Sequence, residues 1–240
     1  MTYSFFGTCA YDHDQFFGCL KTILTQTILP KQIILVDSGN LNIEKEIQEK
    51  INSKDIYLIY IFEKISRVKS LNIAIDKSTS KYSFRFDSRS RFSKSYAENA
   101  IRLLSDKLMD LAVVGGVPKI LNSSNKLQSL ICAEIMRRQY IFFFPRHRNP
   151  KYSGYSSSVY LGCFRTELLQ KIRFDENKKI LSEDSLIIKE FLERGFKVFL
   201  SSNINISYVC RDSLPNIIKL FNTYGYCRAN SVVASRKLFI

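Results

Sequence analysis

Glycine and proline are scarce in this chain, 9 and 5 among 240 residues, and histidine is scarcer, at 2. With 45% hydrophobic and 13% aromatic residues, that scarcity argues against long disordered segments and for one well-filled core. No apolar run approaches the roughly 18 residues that span a bilayer; the most hydrophobic knot runs only from Tyr140 to Phe144. The opening MTYSFFGTCA lacks the basic start and sustained apolar stretch of a secretory signal, so a cytoplasmic location is expected. The six cysteines (Cys9, Cys19, Cys132, Cys163, Cys210 and Cys227) form no C-x-x-C pair. That spacing argues against a zinc set or a disulfide framework and for reduced thiols used as small core residues. No glycine follows the first β-like run, where TCAYDHDQ stands, which argues against a nucleotidyltransferase-type phosphate loop. A nucleic-acid-binding module would suit the charge, but no helix-turn-helix, RNP or zinc signature appears.

What the chain has in excess is positive charge: 36 Lys and Arg against 22 Asp and Glu, a net +14. The excess is uneven. Up to Glu63 acids slightly outnumber bases, whereas Lys81, Arg85, Arg89, Arg91 and Lys94, and later Arg137, Arg138, Arg146, Arg148, Lys151, Arg165, Lys171 and Arg173, make basic stretches. Such a surface attracts anions: nucleic acid, anionic lipid or diphosphate-bearing substrates. A plain solvated basic face is the bland alternative.

The first half alternates short β-like runs with helical patterns. Strands are predicted at Tyr3–Cys9, Gln32–Asp37, Tyr57–Phe62, Tyr82–Asp87 and Leu111–Val117, the last closed by Pro118. Helices are predicted from Phe16 to about Thr27, at Ile43–Ile51, Ser66–Lys77 and Lys94–Ser105. QIILVD, continuously apolar, suits a strand buried on both faces. Alternation at this pitch implies an α/β fold with a mainly parallel sheet, and ligands bind beyond the carboxyl ends of such strands. Asp37 and Asp87 stand at two of those ends. In the second half the pattern gives a helix over Leu127–Phe144, a loop over Pro145–Ser158, a strand over Val159–Phe164 and a helix over Ser182–Arg194 with Ser182 as N-cap and Gly195 beyond its end. Strand-like runs at Lys197–Leu200 and Ile204–Val209 precede a last helix from about Leu214. There is no linker or repeat.

Four segments now stand in order: Cys9–Asn40, which contains QIILVDSGN; Ser66–Phe92, which contains YSFRFDSRS; LAVVGGVPKI; and Leu161–Val198, which contains FDE and SED. In that order they resemble the inverting GT-A glycosyltransferases of glycosyltransferase family 2, and more narrowly the succinoglycan-type glucosyltransferases of bacterial exopolysaccharide synthesis. The resemblance runs through nearly the whole chain. It implies a single Rossmann-like GT-A domain over 1–240, with residues 1–118 holding the nucleotide sugar and 119–240 the acceptor. It implies transfer of a hexose, from a UDP-sugar first of all, to a saccharide or polyprenyl-diphosphate-linked saccharide at the inner face of the membrane. Peripheral contact with anionic lipid is expected and nucleic acid is not.

Roles follow position by position from the resemblance. Tyr11 and Asp12 would lie against the nucleotide at the mouth of the first strand. Asp37 would bind the base or ribose, although alone it also reads as an ordinary turn residue. Asn72 would stand behind the donor site and Arg67 would face the diphosphate. Asp87 would hold a divalent cation, Mg²⁺ or Mn²⁺, on that diphosphate. Here the pattern is broken, because Arg89 occupies the place of a second ligand and a protonated guanidinium cannot ligate metal. Three readings stay open at this point: Asp87 holds the cation with substrate phosphates and water, Arg89 neutralises the diphosphate itself, or the protein is catalytically impaired. Asp184 would be the general base that takes a proton from the acceptor hydroxyl, with Glu183 positioning the acceptor or its loop. Acids in a first helical turn also simply complement the helix dipole; the preceding Phe174-Asp175-Glu176 tips the balance toward chemistry. Arg211, with Arg228, could help hold the diphosphate. The Arg- and Tyr-rich stretch with Arg146, His147, Arg148, Tyr152 and Tyr155 would face the acceptor.

Overall fold

The YSFFGTC run forms β1 (Tyr3–Cys9), and five of its seven residues, Tyr3 to Gly7, are buried together. The structure, a computed structural model, describes residues 2–142, 148–176 and 183–235. After β1 come α1 (His13–Ile23), β2 (Gln32–Asp37), α2 (Glu44–Ile51), β3 (Tyr57–Phe62), α3 (Arg67–Asp76), β4 (Tyr82–Asp87), β5 (Ser90–Phe92) and α4 (Tyr96–Ser105). The second half adds β6 (Leu111–Gly115), β7 (Pro118–Leu121), α5 (Leu127–Phe142), β8 (Gly154–Tyr155), β9 (Cys163–Arg165), α6 (Thr166–Ile172), α7 (Glu183–Glu193), β10 (Lys197–Leu200), β11 (Ile206–Val209) and α8 (Leu214–Ser235).

Eight strands make one sheet in the order β3-β2-β1-β4-β9-β6-β10-β8. Only β9 and β8 run against the others. The mainly parallel α/β sheet expected from the alternation is therefore present, and it takes strands from both halves of the chain. β2 is buried at every position, as a strand covered on both faces must be. One face packs on α1, α2 and α4 through Phe16, Leu20, Ile47, Tyr96 and Leu104. The other packs on α3, α6 and α7 through Leu71, Ile75, Leu169, Ile187 and Phe191. A smaller sheet, β5-β11-β7, carries a third core beneath α5 and α8.

Three sequence expectations are corrected. The strand expected over 111–117 ends at Gly115, and Pro118 opens β7 in the smaller sheet rather than closing anything. A Cβ on Gly116 would lie 1.7 Å from the Ile204 carbonyl oxygen, so glycine allows the close passage between sheets. β7 is an edge strand, where a proline's missing N–H costs no ladder bond. The strand expected over 159–164 starts only at Cys163, because Leu161 and Gly162 take positive φ (62° and 87°), turning the chain. The expected loop over 145–158 contains β8, which pairs antiparallel with β10. Ser182, expected as a helix N-cap, lies outside the described residues.

Candidate active site

The chain proceeds β1, β2, β3 to one side and then returns to place β4 on the other side of β1. The crevice beyond the carboxyl ends of β1 and β4 is therefore the topological switch point, where sheets of this kind bind ligands. Register puts Thr8 opposite Asp87 and Cys9 opposite Asp37, so both aspartates stand on that rim.

Alternation along YSFRFD places Tyr82, Phe84 and Phe86 in the core on one face. Arg85 therefore points the opposite way, toward α7. Its exposure is 0%, and a buried guanidinium is tolerated only when paired. Arg85 donates to Glu183 at 2.9 Å and to Asp184, with its guanidinium carbon 5.4 Å from the centre of the Phe174 ring. Arg67, in the first turn of α3, continues the chain of charges. Its Nε lies 2.7 Å from Glu183 Oε1 and its Nη2 2.9 Å from Asp87 Oδ1. Two guanidiniums thus tie together three carboxylates from distant parts of the sequence. The acids of the first turn of α7 do more than complement a dipole: they are the counter-ions of a buried arginine.

The two adjacent acids are driven apart electrostatically. Burial pushes the Asp184 carboxyl up to about 6, opposed by Arg85 and reinforced by the charges of Glu183 and Asp87. Burial acts the same way on Glu183, but Arg85 and Arg67 outweigh it and hold that carboxyl at about 2. The same surroundings thus move the two carboxyls in opposite directions, Glu183 toward the ionised form and Asp184 toward holding a proton, the kind of division that acid–base chemistry uses. Asp184 keeps 35% of its side chain open to solvent, so a reacting hydroxyl can reach it.

The remaining predicted residues divide. Arg89 does not sit on Asp87. Its Nε lies 2.7 Å from Asp12, and Nη1 donates to the carbonyls of Val209 and Cys210, clamping the smaller sheet to the start of α1. Arg67 is the guanidinium beside Asp87. Tyr11, 76% exposed, stands at the mouth of β1. Asn72 is buried, and its amide is spent on the backbone of Phe174 and on Glu176, so it braces the FDE segment behind the site and does not face a donor. Arg211 follows β11 and has a buried Nε without a hydrogen-bond partner; it is paired to none of the three carboxylates. The hydroxyl of Tyr152 donates to the Tyr155 carbonyl oxygen, which ties that part of the expected acceptor-side loop to the sheet edge. Arg146, His147 and the Arg228 side chain lie outside the described residues.

Asp37 is fully buried. Its Oδ1 accepts from the Gly39 N–H, its Oδ2 from the Tyr60 hydroxyl, and His13 Nε2 lies 3.2 Å from Oδ2. The turn role is the one its contacts show: a Cβ on Gly39 would sit 2.0 Å from the Ala10 carbonyl oxygen, which packs this turn tightly on the end of β1. Cys9, His13 and Asp37 also have ligating atoms within 4.8 Å of one another. C-x-x-C spacing did not reveal this group, since its members come from a strand end, a helix start and a second strand. Burial, and then the Asp37 charge, push the Cys9 thiol up to about 12, which opposes the thiolate a metal would need. All six cysteines are free and buried, as the sequence suggested.

Sequence reasoning missed Arg85 and His13. The signal for Arg85 was available: a lone charge at an inward position of an otherwise apolar strand must find a counter-ion.

The family model described as Glycosyl transferase family 2 matches residues 17–173, more than half of the chain. The chain belongs to glycosyl transferase family 2. Among curated proteins it is 25% identical over 216 residues to the dolichyl N-acetyl-alpha-D-glucosaminyl phosphate 3-beta-D-2,3-diacetamido-2,3-dideoxy-beta-D-glucuronosyltransferase of Methanococcus voltae, a match covering 86% of this chain and 66% of that protein. Among solved structures, S. aureus TarS 1-349 in complex with UDP superposes with a TM-score of 0.62 at 16% identity, covering 97% of this chain and 66% of that one. The mannosyltransferase PcManGT from Pyrobaculum calidifontis, in complex with GDP-Man and Mn²⁺, gives 0.61 at 15% identity, covering 86% and 56%. At such identities the structures establish the GT-A fold. The chain spans just under two-thirds of the length of its curated relative, and two-thirds or less of these structural neighbours.

Proposed function

We propose that this protein is an inverting glycosyltransferase that moves a hexose from a nucleoside-diphosphate sugar, a UDP-sugar first of all, to a saccharide or polyprenyl-diphosphate-linked saccharide. The acceptor would serve bacterial surface polysaccharide synthesis, built at the cytoplasmic face of the membrane. One observation carries the reading: Asp87, Glu183 and Asp184, from two distant parts of the chain, meet in a single charge network with Arg67 and Arg85 at the switch point. The donor lies along the rim formed by Tyr11, Asp12, Asp37 and Asp87, within residues 1–118. The acceptor approaches from the part contributed by 119–240, and the open side of Asp184 takes the proton from its attacking hydroxyl. Glu183 stays ionised and holds Arg67 and Arg85 in place. In-line attack on the anomeric carbon then inverts its configuration. A lipid-linked acceptor is supported by the relative's name, and a nucleotide-sugar donor by the UDP and GDP-Man of the neighbours.

The charge count supports a divalent cation at Asp87. Two guanidiniums face three carboxylates there, so an arriving diphosphate meets a net negative rim when all are ionised. Asp87 would be the protein ligand, with donor phosphates and water completing the oxygen shell that Mg²⁺ or Mn²⁺ accepts. Bound there, the cation would offset the charge that develops on the departing diphosphate. Arg67, beside Asp87, is placed to share that task; Arg89, committed to Asp12, is not.

Calorimetric titration of the protein with UDP and Mn²⁺ tests the donor site. Binding is expected, and Asp87→Asn should weaken it by about 10- to 100-fold, the loss of one charge-assisted contact. An oligonucleotide should give no heat. Unchanged affinity in Asp87→Asn would remove Asp87 from the donor site, and binding of the oligonucleotide alone would defeat the transferase reading.

A second expectation follows from Asp184. A base must be ionised to accept a proton, and burial has raised this carboxyl to about 6. Thus kcat/KM should be flat above that pH and fall about tenfold per unit below it. Glu183, held at about 2, stays charged across the range, so the acid limb should have unit slope. A rate independent of pH between 4.5 and 7.5 would exclude Asp184 as the base.

A further inference from the structure

Asp37 is a fully buried carboxylate, and among the described residues its ion-pair neighbour is His13, with no lysine or arginine beside it. A protein interior tolerates such a charge when it is paired or bound to a metal. His13 has the complementary problem. Its Nε2 is buried and makes no hydrogen bond, although Asp37 Oδ2 is only 3.2 Å away. Buried polar atoms nearly always find a partner, so a nitrogen and a carboxylate oxygen brought together without bonding each other point at a shared third body. The Cys9 sulfur completes the group.

The fold fixes the three donors. Cys9 ends β1 and lies in register with Asp37, the last residue of β2. The chain bends at Ala10 and Tyr11 and enters α1 at His13, which brings the imidazole back to the strand ends. The Asp37 carboxylate is held from behind. Its Oδ1 accepts from the Gly39 N–H and its Oδ2 from the Tyr60 hydroxyl, whose oxygen accepts from the Ile43 N–H. Hydrogen bonds of this kind orient the carboxylates that bind metals. Zinc bonds of about 2.0–2.3 Å put tetrahedral ligand atoms roughly 3.3–3.6 Å apart. His13 and Asp37 already stand at 3.2 Å, and no pair in the group exceeds 4.8 Å. Side-chain movements of about an ångström therefore complete the set.

Donor type chooses the ion. A thiol and an imidazole suit a borderline-soft cation, whereas Mg²⁺ and Mn²⁺ prefer oxygen shells. Three protein ligands leave a fourth position to water. The raised Cys9 thiol is no bar, since a doubly charged ion deprotonates a coordinating thiol outright: the metal–sulfur bond forms and the proton leaves to solvent. The His13 side chain keeps 16% exposure, which gives the ion a way in from the rim.

We infer that Cys9, His13 and Asp37 form a binding site for Zn²⁺, separate from the hard-cation role proposed for Asp87. Asp37 also lies on the proposed donor rim, but the ion's binding is measured without donor and stands independently of the transferase reading.

The test is calorimetric titration of the reduced, metal-free full chain with Zn²⁺, which should show a site with a Kd on the order of 1 µM or tighter. Co²⁺, as the spectroscopic probe, should give a thiolate-to-metal charge-transfer band and the intense visible bands of tetrahedral coordination. Cys9→Ser should abolish the charge-transfer band and weaken Zn²⁺ at least about 100-fold, since even an outer partner of a ligand is worth about 10- to 100-fold. Asp87→Asn should leave band and affinity unchanged. If Cys9→Ser fails to fold by circular dichroism, His13→Ala, at a partly exposed position, replaces it with the same loss of affinity expected. A wild-type chain with neither heat nor band would overturn the inference. So would wild-type Zn²⁺ affinity in Cys9→Ser or His13→Ala, or binding lost in Asp87→Asn, each of which assigns the ion to other groups.

Discussion

Asp184→Asn is expected to lower kcat by about 10²- to 10⁴-fold, the range a positioned general base supplies, with donor affinity nearly unchanged. Asparagine preserves the shape and the contact to Arg85 but cannot accept a proton at any accessible pH. Donor binding survives because the ion pair of Asp184 is with Arg85, whereas Asp87 on the donor rim is paired with Arg67. The residual rate should also lose the acid limb near pH 6, which separates loss of the base from a general disturbance of the site. Single-turnover transfer, with calorimetric donor titration on the same preparation, checks both halves. Wild-type turnover in Asp184→Asn would remove the residue from the mechanism. A variant that loses donor binding as strongly as turnover would make Asp184 a structural counter-ion of Arg85.

Most of the parallel sheet was legible because parallel strands leave a strong local trace: β2 is apolar at four successive positions and ends on Asp37. The exceptions are short antiparallel pieces. β5, β8 and β9 have three, two and three residues, too few for a period of two to emerge, and their pairing is set by contacts made far along the chain. In VYLGCF the apolar run itself misled, because left-handed backbone at Leu161 and Gly162 interrupts it. The site shows the same division. Asp37 and Asp87 were visible as acids at strand ends. That Arg67 and not Arg89 accompanies Asp87 could not be read from spacing: in sequence Arg89 is two residues from Asp87 and Arg67 is twenty. A carboxylate at the end of a strand and a side chain two positions on point into different neighbourhoods once the chain turns into β5, while the first turn of α3 is carried back over the rim by the sheet. Asn72 illustrates a subtler limit. Its place behind the site followed from the resemblance, yet its amide serves the FDE segment, a contact spanning 102 residues.

Arg85→Met should lower stability more than Asp87→Asn or Asp184→Asn, because it removes the one fully buried cation of the network. Methionine fills a similar length beside Phe174 without charge. It leaves Glu183 with Arg67 alone and Asp184 without a cationic partner. Breaking a buried pair on one side costs about 3–5 kcal/mol, and for a chain of this size each kcal/mol moves the thermal midpoint by about 2–4 °C, so a fall on the order of 10 °C is expected. Part of that cost is avoidable, since Asp184 can shed its charge by taking up a proton. Arg85 is the cation that holds this carboxyl down against burial, and without it the Asp184 pKa should rise above about 6. The acid limb of kcat/KM should then move to higher pH, a shift that a merely structural role for Arg85 would not produce. The double variant Arg85→Met/Asp184→Asn should recover part of the lost stability, because neutral asparagine needs no partner; for residues in direct contact a coupling of about 0.5–3 kcal/mol is expected. Differential scanning calorimetry of the two single variants and the double closes the cycle. Strict additivity, together with an unmoved acid limb, would show that Arg85 does not govern Asp184 and that Arg67, on Glu183, is what sets the two acids apart.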